Sequence, residues 1–410
     1  MLFLLFVLSA ASKLRGAART MEVVMRFLKL SPSSPSWHCG RLWLLRRGYY
    51  KLTRPKDQAD DWVWIVDHTV QIGIEKCLVI LGIRLCHSPN PDRCLSHSDV
   101  EPITLLPVTK SNGEVVYQQL KQTIKKTGVP REIIGDYGSD LKSGIEKFCR
   151  EHPKTCYLYD IKHKTAAILK RELQNDSAWV KFTQLAAKTK SKVQQTALAP
   201  LAPPNQRTKA RYMNIDVLIQ WGQKMITFLQ QQGKKPNSDY DQKKVKEKWG
   251  WLILFNEHLE EWRELLQVVT SVESFIRKQG ISRQCHLQLK KQFSVRPYKP
   301  RPQKIVLELL AFVEKESLKA SPEERLIGSS EVIESVFGKQ KQLEHYQAKS
   351  GFTGLILGVA AMVSSTTSSV VKDALEKTRT KEVIAWCKNN LEKSVQAKRK
   401  GVQPVFFEMS

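Results

Sequence analysis

The sequence predicts an α/β protein. It combines a mixed five-stranded sheet flanked by helices, a helical N-terminal region and a large all-helical insertion. Three observations predict this. Between residues 62 and 164, apolar and β-branched runs come in the order strand, strand, strand, helix, strand, helix, strand. Residues 164 to 320 carry leucine and tryptophan at helical spacing instead. The first 52 residues show the same helical spacing around a Ser/Pro break, "SPSSPS".

At 410 residues, 41% of them apolar, the chain is long enough for two or three cores. The apolar start, "MLFLLFVLSA", has the look of a secretory segment but lacks a positive leader, so a first helix is expected. In the N-terminal region, 1–52, "LRGAARTMEVVMRFLKL" and the basic, aromatic "WHCGRLWLLRRGYY" fit a helix-turn-helix, truncated in part, or a plain helical hairpin.

The sheet domain is expected over 53–170. "WVWIVDHTV", "KCLVILGIRL" and "PITLLPVTK" have connections that suit an antiparallel meander. "GEVVYQQLKQTIKKTG" is an amphipathic helix stopped by Gly128. "REIIGDYGSD" is a short fourth strand, and the helix after it has Ser139 or Asp140 to cap it. "TCYLYDIKHK" is the fifth strand; the fourth and fifth each follow a helix and should join in parallel.

A helical domain is expected over 171–320, with the Pro-rich, then basic "ALAPLAPPNQRTKARYMN" as an extended segment. Ser321-Pro322-Glu323-Glu324 reads as a helix start, and Ser329 or Ser330 as the cap of a second helix. The sheet domain is completed over 321–372, and a basic helical tail follows over 373–410.

Charge narrows the partners. The chain holds 66 Lys+Arg against 40 Asp+Glu, a net +26 spread along its length. A folded chain this basic takes a polyanion, most often nucleic acid. The run Phe352 to Val363 is too short and glycine-rich to span a membrane, and no membrane partner is expected. Eight scattered cysteines without a Cys-x-x-Cys pair point to a reducing compartment. Cys86, His87, Cys94 and His97 lie in one loop, but adjacent Cys and His suit a tetrahedral zinc poorly.

Against this basic background three acids stand out. Asp67 interrupts the apolar first strand, on a face with Val63, Ile65 and Thr69. Asp136 directly follows the fourth strand, and Glu334 lies on a late helix. If strands one and four are neighbours, Asp67 and Asp136 approach each other, and a helix packed beside them can bring Glu334. Converging carboxylates repel unless cations bind, and oxygen-only ligands suit two Mg²⁺ or Mn²⁺ ions. Two such ions serve in-line phosphoryl displacement.

These residues resemble those of insertion-sequence transposases of the DDE class, whose catalytic core is ribonuclease H-like. "WIVDHTVQIG" is similar to the first-Asp strand, "IIGDYGSDLKSGI" to the second-Asp turn and "EVIESVFGKQK" to the Glu helix. Glu334 and Lys341 match the Glu-x6-Lys pattern of one branch, two helical turns apart. That branch has Tyr and Arg where this chain has Ile327 and Ser330, a departure that leaves Glu331 open as the third acid. The 198-residue spacing from Asp136 to Glu334 is similar to relatives with a domain inserted before the Glu helix.

The resemblance implies a ribonuclease H-like core and metal-dependent DNA cleavage and strand transfer at transposon ends. Asp67, Asp136 and Glu334 would be the catalytic and metal-binding residues. Lys341, Lys339, Arg207, Lys209 and Arg211 would contact DNA, with Asp160 and His163 as auxiliaries. The partners implied are transposon-end and target DNA and at least one further copy of the chain, with no small-molecule substrate. The location implied is the prokaryotic cytoplasm, on the nucleoid when DNA is bound. A catalytically inactive DNA-binding relative and a ribonuclease H-like nuclease are the alternatives.

Overall fold

The computed structural model describes residues 1–30, 34–70, 75–206, 212, 215–232, 240–345 and 351–392. The chain divides into two compact units, Met1–Asp160 with Leu326–Ser410, and Ile161–Arg325.

The first unit contains the sheet. Its strands are β1 (Trp62–Val70), β2 (Lys76–Arg84), β3 (Glu101–Val108), β4 (Glu132–Gly135) and β5 (Cys156–Tyr159). They lie in the order β3-β2-β1-β4-β5. β1 to β3 pair antiparallel, whereas β4 joins β1 and β5 joins β4 in parallel. This is the mixed order of a ribonuclease H-like core, and the meander and parallel additions follow the sequence pattern. The edge strand β3 carries Pro102 and Pro107, residues that a central strand tolerates poorly.

One sheet face is closed by α4 (Gly113–Thr127) and α5 (Ser139–Glu151). Trp62, Trp64 and Val66 of β1 pack there with Ile133, Tyr157, Leu120 and Phe148. Asn112 caps α4 by accepting the Val115 N–H, and Gly128 ends it at φ +86°, a conformation open to glycine. The cap of α5 differs from expectation. Its N-cap is Gly138, with no side-chain cap, while Asp140 sits in the first turn.

Alternation sends Val63, Ile65 and Asp67 to the opposite face, where α13 (Glu331–Glu344) packs against β1. The chain reaching α13 is held by two buried carboxylates. Glu132 accepts the Ile327 N–H at 2.9 Å and Asp160 accepts the Ser330 N–H at 2.9 Å.

The N-terminal helices α1 (Leu2–Leu8), α2 (Leu14–Phe27) and α3 (Trp37–Thr53) belong to this unit. α1 buries Phe3, Leu4, Val7 and Leu8 beside Leu44, Ala361 and Val371. The run from Phe352 folds into a short 3-10 turn and α14 (Leu357–Met362), which packs against α3. The basic tail is two helices, α15 (Ser368–Lys377) and α16 (Thr380–Asn390), rather than one. No helix among the described residues is long and apolar enough to cross a membrane.

The second unit is helical: α6 (Ile161–Gln174), α7 (Ser177–Val193), α8 (Asp216–Gln232), α9 (Gln242–Trp249), α10 (Asn256–Gln279), α11 (Cys285–Phe293) and α12 (Pro300–Ser317). Its core is aromatic, with Trp179 edge-on to Trp262 at 4.9 Å and Phe182 and Phe255 alongside. Arg301 ties α12 to Asp176 and Glu261 at 2.8 and 3.0 Å. Two expectations change here. The fifth strand stops at Tyr159, and "IKHK" opens α6 instead. Ser321 to Glu324 form a turn, not a helix start. Pro322 and Glu323 at φ +64° are its central residues, and the Glu324 N–H donates to the Ser321 carbonyl at 3.2 Å, as in a type II turn.

Candidate functional site

The parallel strands place acids at one edge of one face. In the register Ile65, Ile134 and Leu158 are neighbours, as are Trp64, Ile133 and Tyr157 on the other face. Two residues on from each of the first three stand Asp67, Asp136 and Asp160. Continued alternation puts all three on the α13 face, one per strand, at the carboxyl ends of β1, β4 and β5. Asp136 and Asp160 each sit one residue past a strand, where pairing has just ended.

Each acid has a local fixture. Asp67 is half-buried, and its Oδ1 accepts the His68 N–H at 2.6 Å. Asp136 accepts the Gly138 N–H at 3.0 Å, which shapes the turn into α5. Asp160 has 0% exposure, donates its own N–H to the Gly135 carbonyl at 3.1 Å and grips Ser330. Glu334 lies half-buried in the first turn of α13. Its carboxylate and that of Asp160 have oxygens within 4.8 Å of each other. Asp160, expected as an auxiliary, thus takes the place beside Glu334.

The donor chemistry fits a hard divalent cation. Two carboxylates at ligand spacing, one of them fully buried, supply oxygen and charge. Glu331 opens α13, half-buried, and its N–H points to Ser329 Oγ at 3.4 Å. Ser330 is the N-cap of that helix but makes no side-chain cap. His163 lies in the first turn of α6, in the second unit.

The DNA-contact residues separate into three cases. Lys341 is exposed on α13, two turns beyond Glu334 and on the same side of the helix. Lys339 is half-buried, with its Nζ 3.2 Å from His97 Nδ1, and His97 Nε2 lies 3.1 Å from Ser335 Oγ. The Cys/His loop therefore braces α13. Cys86, His87, Cys94 and His97 take part in no ligand-spaced group among the described residues, and all eight cysteines are free. Arg207, Lys209 and Arg211 lie outside the described residues.

The basic residues of α3 have inward tasks. Arg46 donates to the Thr378 carbonyl at 2.7 Å. Arg47 donates to Ala361 and Ser365 carbonyls and to Thr366 Oγ1. Lys51 donates to the Val363, Ser364 and Ser365 carbonyls at 2.6 to 3.2 Å. Burial, with Arg47 and Arg54 close by, pushes the Lys51 ammonium down to about 6.

His68 leaves the acid row for the opposite face. Burial pushes its imidazole down to about 4, Asp140 pulls it up, Lys76 adds to the depression, and Asp136 pulls it up again. Its Nδ1 lies 3.6 Å from Asp140 Oδ2 and its Nε2 3.5 Å from Ser111 Oγ. The same Asp140 oxygen takes the Lys76 ammonium at 2.7 Å, so a neutral imidazole sits beside an ion pair already made. Between pH 6.5 and 4 the unfolded chain binds a proton that the folded chain refuses, so stability falls as pH falls through that window. The full loss is about 3 kcal/mol. Urea midpoints of the wild type should drop between pH 7 and 5, and His68→Gln should flatten that slope. Parallel slopes for both proteins would contradict the neutral imidazole.

No protein-family model matches the chain, and no curated protein matches it. Among solved structures, the Drosophila P element transposase strand transfer complex is similar over 90% of this chain and 92% of that one, at 12% identity and a TM-score of 0.38. A likeness that distant defines nothing further. The strand order and pairing themselves define the ribonuclease H-like core.

Proposed function

We propose that the protein is a metal-dependent DNA phosphodiester-transfer enzyme of the DDE-transposase kind, which cleaves transposon ends and joins them to target DNA. The observation that carries this reading is Glu334 within 4.8 Å of Asp160; Asp67 and Asp136, set towards the same face by strand alternation, join no ligand-spaced group among the described residues. Asp67, Asp136, Asp160 and Glu334 would hold two Mg²⁺ or Mn²⁺ ions. Such ions, when bound, polarise the scissile phosphate and lower the pKa of the attacking hydroxyl.

The protein's own part is to position. The strands fix three carboxylates in a row, and the strap Ile327–Ser330, anchored by Glu132 and Asp160, sets where Glu334 arrives. Lys341 meets a backbone phosphate next to the reacting one. Its ammonium offers charge without sequence preference. His163, three residues beyond Asp160 in the chain, is the proposed auxiliary. The net charge of +26 supplies the long-range attraction for the polyanion.

The test is an incubation of full-length protein with supercoiled DNA carrying candidate element ends, with and without Mg²⁺. Metal-dependent nicking and joining are expected, and Glu334→Gln should remove both while melting as the wild type does. Salt-sensitive binding with no metal-dependent cleavage would establish the inactive DNA-binding alternative. Cleavage without joining would establish a nuclease.

A further inference from the structure

The acid row has an aromatic counterpart. Asp136 is followed by Tyr137, and Asp160 is preceded by Tyr159. The two tyrosine rings stack on each other, 3.9 Å between centroids and 9° from parallel. Tyr157 lies 5.2 Å from Tyr137, and its hydroxyl donates to the Asp136 carbonyl. Burial raises the Tyr159 hydroxyl above its ordinary range, and Asp136 and Asp160 raise it further, so that hydroxyl feels both carboxylates.

Tyr159 is half-buried, but Tyr137 is 37% exposed. The ring stands on the three-residue connection between β4 and α5, with one face against its stacked partner. The Lys142 ammonium lies 5.0 Å from the Tyr137 ring centroid. That lysine is half-buried, and its other partner, Glu146, is 3.9 Å away, so it is loosely committed.

Resting on the function proposed above, we infer that Tyr137, backed by Tyr159, is a stacking platform for the nucleobase next to the scissile phosphodiester. Alternation sets Tyr137 and Tyr159 on the face opposite the acids, but they stand at the same sheet edge, one residue from Asp136 and Asp160, where a DNA strand laid along that edge meets both. Stacking tolerates every base, because each has a π-face, and so holds the strand without dictating sequence. Lys142 yields its place over the ring to the base and turns to the adjoining phosphate. The pair thus fixes the strand's position along the acid row, while the metal ligands act on the phosphate itself.

The probe is a DNA duplex with a short single-stranded 3′ end bearing 2-aminopurine, mixed with the full-length protein in Ca²⁺. Wild type and Tyr137→Phe should quench the probe on binding. Tyr137→Ala should bind roughly 5- to 150-fold more weakly, the range for one lost base–aromatic stack, and quench little. Truncation also gives up the stack on Tyr159, worth about 0.5 to 1.5 kcal/mol, so a slightly lower melting temperature is expected and binding is compared well below it. Quenching and affinity equal to wild type in Tyr137→Ala would overturn the platform while leaving the enzyme reading intact. An absence of binding by all three proteins would overturn the enzyme reading, and the platform with it.

Discussion

Asp160→Asn should abolish metal-dependent cleavage, by on the order of 10³-fold or more, and leave the fold in place. The substitution separates two tasks of one side chain. Asp160 Oδ1 accepts the Ser330 N–H at 2.9 Å, a duty that the amide oxygen of asparagine can take over. Ligation beside Glu334 needs a negative oxygen, and there the amide fails. Lost charge at a bound divalent ion costs several kcal/mol of transition-state stabilisation, whereas the retained hydrogen bond keeps the strap to α13 in register. Asp160→Ala should lose both. It leaves a buried N–H without its acceptor, at about 1 to 3 kcal/mol, and melts earlier. Cleavage rates and melting temperatures of the two variants decide the matter. An Asp160→Asn protein that cleaves at the wild-type rate would remove Asp160 from the site.

The prominence of Asp160 was only half legible in the sequence. Apolar, β-branched runs marked β1 to β5, and the connections between them, hairpin-like or helical, set their antiparallel or parallel sense. The same patterning picked out Asp67, which breaks an otherwise apolar face. Asp160 was harder, since "YLYDIKHK" continues without a turn residue. The strand-to-helix switch at Tyr159 is set by the end of pairing with β4, a tertiary fact. Ser321 to Glu324 misled for a related reason. The local capping pattern is real, and the Ser321 N–H does reach Glu324 Oε2 at 2.7 Å, but a left-handed Glu323 turns the chain away from a helix. The basic face of α3 also read differently alone. The stretch fits a helix-turn-helix by its sequence, but Arg46, Arg47 and Lys51 donate to the backbone carbonyls of Thr378, Ala361 and Val363.

The α3–α14 crossing yields the second large effect, at a residue whose sequence context gives no hint of it. Gly48→Ala should destabilise the sheet-containing unit by about 2 kcal/mol and lower its melting temperature by about 5 °C. A Cβ at position 48 would stand 2.0 Å from the Leu357 carbonyl oxygen and 2.9 Å from its carbon. That obstacle is backbone, so the helices themselves must separate, which costs about 3 kcal/mol. Alanine's helix propensity returns only about 1 kcal/mol, and the clash wins. Gly338→Ala on α13 is the control, because its Cβ meets nothing within 4 Å and propensity acts there unopposed. Differential scanning calorimetry should therefore move the two variants in opposite directions. The disturbance at Gly48 should also reach the acids. α14 rests against α13, and Gln340 of α13 donates to the Leu355 carbonyl at 2.7 Å just before α14. A displaced α14 shifts the helix that presents Glu334, so Gly48→Ala should lose metal-dependent activity beyond its unfolded fraction. A Gly48→Ala protein with wild-type melting and rates would show that the close crossing does not support the site.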